Sequence, residues 1–217
     1  FRRSRGLGDV YKRQARERRM KRRALDEGRD LRGGMGERID VLRLGHRKGR
    51  DPRITTHLAL VARAMGADRF LLGGDEDEKM FENIRSVEAR FGQAMTLEYL
   101  ASPLGWLRTF AKKDAGDGQP GTVVHLTMYG IPHRQAIPQI RRDRPLTVVV
   151  GGAKVPPEAF SLAHHNVSVG QQPHSEVAAL ALFLDAWTEG AGLNRTFEQP
   201  QLVIHPSARG KKVTEEE

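Results

Sequence analysis

Two short stretches of the chain hold residue types that a core has no use for. The first is GQQPHSE, residues 170–176, placed between an apolar strand-like run (NVSVG, 166–170) and an apolar helix-like run that continues to 188. The second is LRLGHRKGRDPRITTH, residues 42–57, in which Arg43, Arg47, Lys48, Arg50 and Arg53 stand against a single acid, Asp51. A glycine-bearing loop after a strand lets backbone approach a ligand closely and can supply its N–H and C=O groups as a selective cage. Ser175 is a natural N-cap for the following helix, which would turn unpaired N–H groups toward the same place. Five cations in one loop suit a phosphate backbone. Taken singly, each has a plainer reading: His174 as a capping or surface histidine, Glu176 as a first-turn helix acid, the cations as a solvated loop.

Two more loops share the character of the first. TMYG (127–130) and GGAKVP (151–156) each follow an apolar run and contain glycine. Other chemical templates are missing. The glycines at 6–10 and 33–36 are not followed by a dinucleotide-binding helix at the required spacing, and the chain has no phosphate-binding GxxxxGK[ST] and no GxSxG elbow. His164 and His165 lack partners at metal-ligand spacing, so no metal site is expected.

The elements that would position these loops can be read from periodicity. Strands are expected at 38–45, 69–74, 95–100, 122–130, 146–152 and 166–170, and helices at 55–65, 75–90, 103–111, a short one from the end of the fourth strand to about 142, at 156–163 and at 175–188. The segment 200–213 reads as an extended tail, a strand or a hairpin. Thr55 or Thr56 is the expected N-cap of the first helix. Strands alternating with helices predict an α/β fold with a mainly parallel sheet and helices on both faces. In such a sheet ligands bind beyond the carboxyl ends of the strands, where all three glycine loops and the basic loop would meet.

Composition narrows the class. The chain has 217 residues, 38% of them hydrophobic, and no cysteine, which excludes disulfides and zinc–thiolate sites and fits a reducing, cytoplasmic setting. No apolar run approaches the roughly 20 residues of a membrane helix, so no membrane partner is expected. The net charge is +9, but residues 1–34 hold 13 Lys/Arg against 5 Asp/Glu, and the rest 23 against 22. The high basicity therefore belongs to a leader and not to the body. The domain reading is accordingly a basic leader, 1–34, and one folded domain, 35–217. FRRSRGLGDVYKRQ (1–14) has no periodicity; it reads either as sequence extraneous to the gene product, with Met20 or Met35 as the start, or as a basic arm that touches RNA.

In order along the chain, LRLGHR, TTH-x-AL-x-ARAMGAD, DEDEK, VHLTMYG, VVVGGAKVP, NVSVGQQPHSEVAALA and ARGKKV resemble the archaeal tRNA (cytidine-56) 2'-O-methyltransferases of the SPOUT superfamily. The resemblance covers residues 40–213 and leaves out the leader. It implies a C-terminal deep trefoil knot, which bottom-up topology rules would argue against. It implies S-adenosyl-L-methionine as cofactor, held at Leu126, at Gly151, Gly152, Ala153, Lys154 and Val155, and at Val169, Gly170, Gln171, Gln172, Pro173, His174, Ser175 and Glu176. It also implies a homodimer with the last helix at the interface, and tRNA, not DNA, as substrate, since the acceptor is a ribose 2'-hydroxyl. Ala153 stands where an acid is expected and Gln171 where asparagine is more usual, which puts a side-chain role at 153 in doubt. Catalysis would fall to an arginine that stabilises the emerging 2'-oxyanion, with Arg53 preferred, Arg47 second, and His57 as a group that handles the proton. Rival readings are a SPOUT enzyme acting at another tRNA or rRNA position, a non-catalytic RNA-binding module, and a small-molecule α/β enzyme.

Overall fold

The computed structural model describes residues 38–92, 95–112, 120–152 and 155–216. The basic leader, including Met20 and Met35, lies outside them, as do Ala153 and Lys154. Six strands form one sheet: β1 (Ile39–His46), β2 (Arg69–Gly74), β3 (Thr96–Leu100), β4 (Thr122–Pro132), β5 (Leu146–Gly151) and β6 (His165–Ser168). Their order is β3-β2-β1-β5-β4-β6, and every neighbouring pair is parallel. The helices between them are α1 (Pro52–Ala64), α2 (Glu78–Phe91), α3 (Pro103–Lys112), the single turn α4 (His133–Ala136) and α5 (Pro157–Leu162); α6 (Glu176–Thr188) follows β6. A hairpin of β7 (Leu202–Ile204) and β8 (Val213–Glu215) comes last, so the tail is a hairpin.

A parallel sheet needs both faces covered, and the central strands show why these sequences comply. In β1 and β5 the runs IDVL and LTVVV are buried residue after residue, as expected where helices cover both sides. Alternate side chains go to opposite faces. Ile39, Val41, Val148 and Val150 join Leu58, Phe70, Ile84 and Phe183 under α1, α2 and α6. Leu42, Leu44 and Val149 join Leu107, Phe110 and Ala159 under α3 and α5. At the edge, β3 alternates exposed and partly buried residues. Among the described residues no helix is long and apolar enough to cross a membrane.

Two helices start elsewhere than their sequences suggest. The first begins at Pro52, three residues before Thr55: proline presets the first-turn dihedral, and Asp51 occupies the N-cap position. Asp51 does not cap with its side chain, because both carboxylate oxygens turn back to Arg47. Thr55 instead bonds His46 Nδ1 at 2.9 Å inside the core. The second helix begins at Glu78 and not at 75, because Asp77 caps it by accepting the Met80 N–H at 3.1 Å. The last helix begins where expected, with the Ser175 hydroxyl accepting from Ala178 N.

The carboxyl end of the sheet is irregular in the places that matter. Parallel strands β4 and β6 pair as Leu126 with Val167, and then again as Ile131 with Val167. The four residues 127–130 between them, TMYG, therefore bulge out of the sheet. Strand β1 has a similar irregularity between Arg43 and His46. A bulge re-aims the side chains around it and marks a site more often than a defect.

Candidate functional site

Strands β4, β5 and β6 all end on one cleft of about 430 Å³, closed on one side by the start of α6. The volume lies within the range of small-ligand sites. From the sequence-predicted cofactor residues the cleft brings together Leu126, Gly151, Gly152 and Val155, together with Val169, Gly170, Gln172, Pro173, His174 and Glu176. Gln171 and Ser175 do not line it: Gln171 is exposed in the loop, and Ser175 caps α6. All three glycine loops thus meet, as the strand ends of a parallel sheet require.

Local chemistry shapes each wall. Gly170 adopts φ +75°, a backbone state that side chains rarely take, and this turn carries the chain from β6 into the polar loop. His174 then ties that loop to itself: Nε2 contacts the Val169 carbonyl and Nδ1 lies 3.1 Å from the Ser175 carbonyl. Gly151 has no room for a side chain, since a Cβ there would fall 1.9 Å from Val155 Cγ2. On the β4 wall, Asn166 Nδ2 donates to the Phe160 carbonyl at 3.0 Å. Asn166 Oδ1 therefore faces His125, and His125 Nδ1, 3.0 Å away, carries the proton. Burial lowers the His125 pKa, which keeps the ring neutral, and Phe160 meets it edge-on at 4.7 Å.

Thr127, Met128 and Tyr129 of the TMYG loop line the cleft as expected; His125, Val150, Phe160 and Ala179 line it too and carry no signal in the sequence. The TMYG segment was legible as a loop. Nothing in the one-dimensional pattern says that four residues leave β4 and that the strand then rejoins the same partner. His164, beside the paired histidine, accepts the Val123 N–H at Nδ1 and so serves the strand end.

The proposed catalytic group lies apart from this cleft. None of Arg47, Arg53 and His57 lines it. Arg47 is half exposed and locked to Asp51, with Nε donating at 3.0 Å and Nη2 at 3.3 Å. That hydrogen bond is the largest cause lowering the Asp51 pKa. Arg53 and His57 are exposed one helical turn apart on α1, on one face. Arg43, the first cation of the basic segment, is not a surface residue at all: it is buried within β1 and pairs with Glu176 in the cleft wall.

Comparison with known proteins agrees with these features. A family model described as tRNA ribose 2'-O-methyltransferase, aTrm56, matches residues 91–214. A tRNA (cytidine(56)-2'-O)-methyltransferase of Methanopyrus kandleri is 48% identical over 177 residues, 81% of this chain and 96% of the relative. The enzyme of that name from Thermococcus kodakarensis is 48% identical over 183 residues, 82% of this chain and 98% of the relative. Among solved structures, the SpoU methyltransferase AviRb from Streptomyces viridochromogenes, in complex with the cofactor AdoMet, superposes with a TM-score of 0.54 at 15% identity, covering 74% of this chain and 60% of that one. The A. aeolicus TrmH/SpoU tRNA modifying enzyme gives 0.52 at 12%, covering 78% and 87%. At such low identity these two structures speak for the fold alone.

Proposed function

Because this chain belongs to the tRNA (cytidine(56)-2'-O)-methyltransferase family, we propose that it transfers a methyl group from S-adenosyl-L-methionine to the ribose 2'-hydroxyl of cytidine-56 in tRNA. One observation carries the reading beyond sequence likeness: the three glycine loops converge on a single cleft at the carboxyl ends of β4, β5 and β6. The residues fit the cofactor. Backbone groups of 151–152 and 169–173 can hold a flat heterocycle and its sugar, and Glu176 offers the one carboxylate among the described lining residues to a ligand that carries cationic groups. The cofactor supplies a methyl group already activated on a sulfonium, so the chain's task is orientation and a better nucleophile.

The 2'-hydroxyl must lose its proton as the new O–CH3 bond forms and the S–CH3 bond breaks. A guanidinium is a poor base but a good electrostatic partner for an oxyanion and for the neighbouring phosphate. Arg53 is assigned that role, with Arg47 as the alternative and His57, one turn along α1, as the group that receives the proton. Since Arg53 does not line the cleft of its own chain, it acts on the cleft of a second copy in a homodimer. The apolar α6, with Leu182 half exposed on it, is the proposed interface. The same reading assigns a trefoil knot to the passage of β6 and α6, a cytoplasmic setting, and a catalytic domain at 35–217 distinct from the leader at 1–34. RNA contacts are assigned to Lys48 and Arg50 and to Arg209, Lys211 and Lys212 at the hairpin tip, all exposed. Such contacts to backbone position the substrate and do not read its sequence.

The Gly170 turn gives a sharp expectation. A side chain there would meet only His174, at 3.7 Å, so space permits it, but φ +75° does not suit a β-branched residue. Gly170→Val is expected to distort the loop and weaken cofactor binding by at least about tenfold, since a strain of 1–3 kcal/mol would be shed by loop rearrangement. Titration calorimetry with S-adenosyl-L-methionine checks this; unchanged affinity would count against the loop as the cofactor site. The function itself is tested by transfer of tritium from labelled cofactor to an unmodified tRNA transcript, with nuclease mapping of the product. Label at cytidine-56 is the expected result. Label at another nucleotide would keep the reaction and replace the substrate, and cofactor binding without any label would leave a non-catalytic RNA-binding protein.

A further inference from the structure

Arg43 is among the largest fully buried side chains of the molecule, and its charge sits just behind the cleft wall. Only 2% of it is exposed; its Nη1 lies 2.7 Å from Glu176 Oε1. Its Nη2 would stand 3.2 Å from a Cβ at Gly152, so the guanidinium is packed between the β5 loop and the start of α6. The contact with Glu176 is close but off the N–H axis, and Nε and Nη1 have no hydrogen-bond acceptor. Burying an ion in this way costs several kcal/mol unless a counter-charge offsets it, so the arrangement calls for a purpose other than stability. Glu176 has a quarter of its side chain exposed, in the cleft. The network continues outward: Arg43 acts electrostatically on Asp51, and Asp51 is clamped by Arg47 in the basic loop.

We propose that Arg43 is a positioning residue for the methyl donor: by pairing with Glu176 it keeps that carboxylate ionised and fixed in the cleft wall, where it binds a cationic group of the donor. The inference rests on the assignment of the cleft to S-adenosyl-L-methionine. That ligand has two cationic groups, an ammonium and a sulfonium, and S-adenosylhomocysteine retains only the first. The electrostatics are consistent. Burial raises the Glu176 pKa, Arg43 opposes the rise, and Asp51 adds to it. His125 and His174 share the cleft but each already bonds a protein oxygen, from Asn166 and from the loop carbonyls respectively.

The sign follows. Without Arg43 the carboxyl pKa rises further, so Glu176 becomes neutral on acidification earlier than in the wild type and recovers its charge at high pH. Titration calorimetry of the full chain with S-adenosyl-L-methionine and with S-adenosylhomocysteine, from pH 5.5 to 8.5, tests this. Arg43→Met is expected to bind the donor about tenfold more weakly than wild type at pH 5.5, the usual cost of losing one contact to a charged group, and to approach wild type at pH 8.5. Arg43→Lys should fall between them. Glu176→Gln should weaken binding most at high pH, and Arg43→Met/Glu176→Gln should be no weaker than Glu176→Gln alone. A larger loss for the donor than for S-adenosylhomocysteine identifies the sulfonium as the partner; equal losses identify the ammonium. A ratio of variant to wild-type affinity that stays constant with pH would mean a structural role and overturn the proposal, as would a double variant far weaker than Glu176→Gln. Should Arg43→Met fail to fold, Arg43→Lys decides: its affinity relative to wild type must fall as the pH falls, and a constant ratio overturns the proposal. Wild-type protein that binds neither ligand would overturn the assignment of the cleft as well.

Discussion

Arg53→Ala is expected to slow single-turnover methyl transfer to tRNA by at least about a hundredfold, the usual cost of removing one group that stabilises developing charge, and to leave cofactor affinity unchanged. The separation follows from geometry. Arg53 lies on the exposed first turn of α1, outside the cleft, and no ion pair or hydrogen bond holds it among the described residues. Arg47, the alternative, is already bidentate on Asp51, so its guanidinium would have to give up that partner to serve a phosphate or a ribose. Arg47→Ala should therefore show a smaller defect, part of it from loosening the turn that Asp51 closes. Mixing Arg53→Ala protein with protein carrying Gly170→Val adds a second readout. At cofactor concentrations below the Gly170→Val dissociation constant each is strongly impaired alone, and mixed dimers regain activity if arginine and cofactor come from different subunits. Equal single-turnover rates for Arg53→Ala and wild type would remove Arg53 from the reaction.

Gly130→Ala should be strongly destabilising for the change of a single methyl group. An added Cβ would lie 2.5 Å from the Asn166 carbonyl carbon and the Val167 nitrogen, and 2.6 Å from the Asn166 oxygen. All three are backbone atoms, so no side chain can turn aside. Relief requires opening the contact where β4, after its bulge, returns to β6. Overpacking against fixed atoms costs about 3 kcal/mol or more, and here the strained region is also the cleft wall. A denaturant titration should show the midpoint falling by that equivalent, with cofactor affinity falling alongside. Gly49→Ala makes the matched control, because a Cβ there meets nothing within 4 Å and a surface change of this kind is worth at most about 0.5 kcal/mol. Similar midpoints for the two variants would show that the β4–β6 approach is looser than described.

Much of this architecture can be read in one dimension, and the reasons are physical. LTVVVGG announces a strand buried on both faces, because only Thr147 interrupts its apolar run. The Ser175 cap and the apolar turns that follow fix α6 at both ends of its register. The glycine loops were legible because they carry polar residues where a core would place none. What escaped was everything that depends on the order of strands. Arg43 reads as one of five loop cations, yet it is buried in β1 beside Val150 of β5 and meets Glu176 at the start of α6, 133 positions along the chain. The start of α1 falls at Pro52 and not at Thr55 or Thr56 because proline presets the first turn, while Thr55, a cap by residue type, is spent on His46 inside the core. A knot is expected only from resemblance to a family, since no periodicity encodes how a chain passes through its own loop.

The most direct test of the whole account uses one assay and two substrates: tRNA transcripts identical except for ribose or deoxyribose at cytidine-56. Initial rates of label transfer from S-adenosyl-L-methionine should be readily measured on the ribose substrate and fall to background when the single 2'-hydroxyl is missing. Equal transfer to both would contradict ribose methylation at that position, whatever else the cleft binds.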